Sequence, residues 1–83
     1  LKILSIRPAA GTKVVAHFDI EVDDHLRVFN MELRHMPDGQ MRSFAPKSSG
    51  KHAASFHPHL ATEITRAAAA ALKGLQPNAK FEV

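Results

Sequence analysis

At Pro58 the spacing of apolar residues changes, and that change constrains the fold more than any other feature of the chain. Before it, apolar side chains recur at every second residue. In "KVVAHFDIEV" (13–22), Val14, Ala16, Phe18, Ile20 and Val22 alternate with Lys13, His17, Asp19 and Glu21. That is the pattern of a half-buried strand. After it, Leu60, Ile64, Ala68, Ala71, Leu72 and Leu75 fall at three- and four-residue spacing, which is one face of a helix. Five consecutive alanines (67–71) favour that helix, and Gly74 with Pro77 marks its end. A single helix that follows a run of strands must bury its apolar stripe on one sheet face. The expected fold is therefore α+β: an antiparallel β-meander of four to five strands with one C-terminal helix packed on one face.

The other strands are shorter or less regular. "KILSIR" (2–7) alternates and is ended by Pro8. Gly11 marks a turn within 9–12, and Asp23-Asp24-His25 marks another. In "LRVFNMELRHM" (26–36), Leu26 and Val28 share one phase while Phe29, Met31 and Leu33 share the other. A change of phase within a strand predicts a bulge near Val28–Phe29. "PDGQ" (37–40) is a turn with proline at its first central position. A short strand, 41–45, follows it, and then a weaker extended stretch from His52 to Phe56. The tail "QPNAKFEV" shows no usable pattern, so the chain reads as one domain, 1–83, with 76–83 a loosely ordered tail.

Size and composition remove several classes of function. At 83 residues the core is thin, and association with a second copy would help it. There is no cysteine, so disulfides and zinc–thiolate sites are excluded. The chain opens on Leu1 rather than methionine, which suggests a processed or trimmed start. No signal-peptide pattern and no bilayer-length apolar run is present, so a cytoplasmic location with no membrane contact is expected. The charge is mildly basic, 11 Lys and Arg against 8 Asp and Glu, and this favours polyanionic partners.

Four groups of residues invite a chemical reading. "PKSSGKH" (46–52) resembles a phosphate loop, but a P-loop needs glycine five residues before its Gly-Lys pair and Ser or Thr after it. Those positions hold Ala45 and His52. His57-Pro58-His59, with His52 nearby, lacks the carboxylates or thiolates that would complete a metal shell, so no metal and no cofactor is expected. A histidine before proline at a strand-to-helix junction is read instead as a structural group holding the loop. Asp19, Glu21, Asp23 and Asp24 are read as a solvated strand edge and turn rather than catalytic carboxylates. With no Ser-His-Asp arrangement, no small-molecule substrate is foreseen, and the chain is not expected to be an enzyme.

The remaining group is basic. Arg42, Lys47 and Lys51, with Ser48, Ser49 and Gly50, combine cations, hydroxyls and close backbone approach, as phosphate contacts require. Arg66 and Lys73 on the helix extend the same footprint. Tyr and Trp are absent and no aromatic separates these cations, which argues against base stacking of the RRM or OB type. The alternative is an exposed polar hairpin tip on a module that binds other proteins through a sheet edge or the Ala-rich helix.

The order of these pieces resembles the SpoVG family of small bacterial regulators. "KILSIR", "KVVAHFDIEV", an acidic turn and "LRVFNMEL" follow that family's succession of strands. "MRSFAP" stands where the family has a strand ending in Met-Pro-Ser, with Ala45-Pro46 for Met-Pro and Lys47 for Ser. "SFHP" corresponds to the family's Ala-His-Pro, and His57-Pro58 match residue for residue. The likeness spans roughly residues 2–75 as spaced short motifs; the basic loop is shorter here, and Ala53-Ala54 replace an Arg-Asp pair. It implies a homodimeric nucleic-acid-binding regulator without cofactor, contacting DNA, with RNA as the alternative. The contacts it and the charges point to are Arg42, Lys47, Ser48, Ser49, Lys51 and Arg66.

Overall fold

The computed structural model describes residues 1–75; the tail reading for 76–83 lies outside the described residues. Strands β1 (Lys2–Pro8), β2 (Val14–Asp23), β3 (Leu26–His35) and β4 (Met41–Phe44) form one antiparallel sheet in sequential order. Two-residue strands β5 (Lys47–Ser48) and β6 (Lys51–His52) pair with each other as a separate hairpin. Helix α1 (Pro58–Leu75) then packs on the sheet. This is the α+β meander with a C-terminal helix that the period change at Pro58 implies. The extended stretch expected from His52 to Phe56 is limited to Lys51–His52, because residues beyond Ala53 pair with no neighbour.

Alternation on β2 places Ala16, Phe18 and Ile20 in the core. Met31 and Leu33 of β3 lie beside them, and Ile64, Ala68 and Leu72 of α1 cover them. The three helix positions are four residues apart, so they form one ridge along the helix. Leu75, expected on that ridge, is 47% exposed, three residues beyond Leu72, the last helix residue in the core. Of the alanine run, Ala68 is in the core, Ala67, Ala69 and Ala71 are half-buried, and Ala70 is exposed. Small side chains there let the helix approach closely.

The bulge in β3 falls one residue later than the pattern suggested. Phe18 pairs with Met31 and Ile20 with Val28, so Phe29 and Asn30 together face the single residue Asp19. Asn30 has φ 61°, a left-handed conformation that asparagine tolerates. Phe29 therefore does not join Met31 and Leu33 but is 58% exposed, and Leu26 is exposed as well. At the β3–β4 connection, the Gly39 N–H donates to the Met36 carbonyl at 2.9 Å, with Pro37 and Asp38 in the central positions. Gly39 then takes φ 87°, which closes the hairpin in the three-residue form that needs a glycine there.

Proline at the first helical position suits α1, because its missing N–H would have had no partner there. Ahead of it, the His57 carbonyl accepts the Ala61 N–H at 2.9 Å and the His57 Nδ1 accepts the His59 N–H at 3.2 Å. His57 thus caps the helix, with its ring edge-on to His59. The sequence places it at the junction, and the hydrogen bonds explain how it acts.

Candidate nucleic-acid interface

The outer face of the sheet carries most of the arginines, and each has its own carboxylate. Arg7 lies 3.4 Å from Asp19, Arg27 lies 3.1 Å from Glu21, and the Arg34 Nε donates to Glu32 at 2.8 Å. Arg34 also sits 4.6 Å over the Phe44 ring. These cations are largely neutralised in place. The expected acidic cluster is accordingly dispersed: Asp19 and Glu21 pair with arginines, and Asp23 accepts the His25 N–H at 2.7 Å to shape the turn.

Two arginines differ. Arg42 on β4 reaches only Asp38, at 3.9 Å between two exposed groups, and Arg66 on α1 has no ion pair among the described residues. An exposed pair at that distance contributes little. Both contribute to the lining of an open groove of about 520 Å³, Arg66 from the helix and Arg42 at the rim, since its register opposite Arg34 turns its side chain toward the outer face of the sheet. One wall is the strand run 40–44, and the other is the helix face that carries Ala61, Thr62, Thr65 and Arg66. Met41 and Phe56 line it too, half-buried and packed against the core. Across the two walls, the Ser43 and Thr65 hydroxyls share a hydrogen bond of 2.8 Å, which ties strand to helix. β4 is the last strand of its sheet, so one side of its backbone meets no partner strand among the described residues.

Beyond the Phe44 end of this groove stands the β5–β6 hairpin. Ser49 and Gly50 form its two-residue turn with φ 53° and 80°, the paired positive values of a tight hairpin turn. The Ala53 N–H donates to the Pro46 carbonyl at 2.8 Å and closes its base. His52 fastens the hairpin to the sheet, its ring stacked on Phe44 at 5.3 Å and its Nδ1 2.8 Å from the Ala45 carbonyl. Lys47, Ser48, Ser49 and Lys51 are all exposed.

The register divides this group. Lys47 stands opposite His52, and Ser48 stands opposite Lys51. Directly opposed residues share a face, so Ser48 and Lys51 project to one side of the ribbon and Lys47 to the other, with His52. The two lysines therefore do not converge on one face of the ribbon. Lys73 lies seven residues beyond Arg66, roughly 10 Å further along the helix. The sequence singles out Arg42 and Arg66 as contacts but not the groove, which forms only where β4 and α1 come together.

Among the described residues no group of three or more His, Asp or Glu gathers as a metal shell would need, and no helix is long and apolar enough to cross a membrane. Comparison with protein-family models, with curated proteins and with solved structures found no match to this chain.

Proposed function

We propose that this chain is a nucleic-acid-binding regulatory protein without catalytic activity, a SpoVG-like homodimer of the cytoplasm. In this reading it holds DNA, with RNA as the alternative, mainly through phosphates. The observation that carries the reading is the contrast among the arginines. Three on the sheet face are matched by close carboxylates, whereas Arg66 beside the groove has no ion pair among the described residues and Arg42, on the edge strand at the groove's rim, has only a long exposed one. Lys47 and Lys51, with Ser48 and Ser49, extend this positive surface onto the hairpin. Phosphates are bound by such cations and hydroxyls without regard to sequence.

A mobility-shift assay with mixed-sequence DNA and RNA at two salt concentrations tests this directly. Phosphate-driven binding weakens steeply as salt rises, and the double variant Arg42→Ala/Arg66→Ala should weaken it for every sequence alike. Absence of binding to either nucleic acid at low salt would end the proposal. One observation favours a second reading, a protein-interaction module: the free edge of β4 could accept an added strand.

A further inference from the structure

We infer that the groove between β4 and α1 takes a single-stranded polynucleotide in preference to a duplex. This inference rests on the nucleic-acid reading and makes it specific. The groove holds about 520 Å³, within the range of small-molecule clefts, which is roughly one or two nucleotides of extended strand. Its cations are exposed, while its apolar lining, Met41 and Phe56, is packed against the core and lies deeper. A duplex keeps its bases stacked inside a convex rod. It can meet Arg42 and Arg66 but leaves Met41 and Phe56 uncovered.

A single strand fits both levels at once. Its phosphates stay against the Arg66 guanidinium, with Arg42 at the outer rim of β4, while an unstacked base descends onto Phe56. Phe44 is less available for that role, since it already carries the His52 ring and the Arg34 guanidinium. The Thr62 hydroxyl, exposed on the helix wall, is a donor or acceptor for the base edge. Beyond the Phe44 end, the hairpin offers one lysine on each face of its ribbon to a flanking phosphate. Polar and charged contacts along the backbone with sequence-tolerant stacking on an aromatic ring are the means by which single strands are held.

The test is fluorescence anisotropy on the intact chain with labelled dT12, with the dA12·dT12 duplex, and with a glutamate-rich ten-residue peptide. The expected result is that dT12 binds at least about tenfold tighter than the duplex. Phe56→Leu keeps an apolar side chain against the core but removes the ring face; it should weaken dT12 by about fivefold or more and leave duplex binding unchanged. Thermal melting of that variant controls for folding, and Thr62→Ala, on an exposed position, gives a second variant that should weaken dT12 alone. Equal or tighter duplex binding would overturn the single-strand inference while leaving the nucleic-acid reading intact. If neither oligonucleotide binds, both fall; if the acidic peptide alone binds, the β4 edge belongs to a protein partner and both fall as well.

Discussion

Asp19 Oδ1 accepts the backbone N–H of Asn30 at 2.8 Å, across the strand pair where β3 bulges. The same carboxylate accepts the Ser5 hydroxyl at 2.9 Å and meets both terminal nitrogens of Arg7 at 3.4 Å. One side chain in the middle strand thus satisfies a backbone donor that the bulge exposes and ties β1 to β3. The Asn30 N–H and then Arg7, with a lesser part from Ser5, hold the Asp19 carboxyl below the ordinary carboxylate range, against an opposing effect of burial weaker than the first two.

Replacing Asp19 should therefore cost stability. Asp19→Ala leaves the Asn30 N–H without its acceptor and is expected to lose about 1 kcal/mol, below the usual range for hydrogen bonds to charged groups because the site is solvated. Asp19→Asn retains an oxygen for Asn30 and should lose less. Because the folded state lowers the pKa, the ionised form stabilises the fold above the unfolded value near 3.8, and that contribution disappears as pH falls through the folded value. Urea titrations of wild type and Asp19→Asn should thus converge in acid; a gap that persists at the lowest pH would refute this origin.

Asn30 itself gives a backbone test. At φ 61° a β-branched residue is strained by about 1–2 kcal/mol, whereas glycine is not. Asn30→Val should lower the melting temperature clearly and Asn30→Gly should not. If both variants melt alike, the left-handed bulge does not constrain this position.

His57 should act on stability through the helix cap. Its ring nitrogen and carbonyl serve the first turn of α1, so His57→Ala should destabilise by about 0.5–1 kcal/mol, and His57→Asn should recover most of it. Tight, stoichiometric zinc uptake that vanishes in His57→Ala would assign this histidine to a metal instead.

On the hairpin, Lys47→Ala and Lys51→Ala should each weaken binding to all sequences alike and reduce the salt slope by about one unit for each phosphate no longer neutralised. Since the lysines project from opposite faces, their effects should add rather than saturate. Stability should change by no more than about 0.5 kcal/mol. A double variant that binds DNA and RNA as the parent does would reduce the hairpin to an exposed tip.

The chain should sediment as a dimer. Both β1 and β4 end their sheet without a partner strand among the described residues, and Leu1 and Leu4 are exposed on or beside β1. Unprotected edges of this kind readily pair with a second copy, and a core this thin gains from it. A monomer at about 100 µM, well above a micromolar affinity, would rule the dimer out.

Much of the fold can be read locally. The alternation of Ala16, Phe18 and Ile20, the four-residue step of Ile64, Ala68 and Leu72, and the turn at Pro37–Gly39 each depend on near neighbours in the chain. The phase change in β3 announces a bulge for the same reason. Its exact residues do not follow, because Phe29 points outward only once Asp19 has taken the Asn30 N–H, a contact eleven residues away. Cross-strand register likewise decides that Lys47 and Lys51 stand on opposite faces. The groove is the fullest case. Arg42 and Arg66 become neighbours of one cleft only after β4 has paired with β3 and α1 has laid its apolar ridge across the sheet. Periodicity encodes which face of an element is apolar; it carries no record of which polar residues meet across two elements.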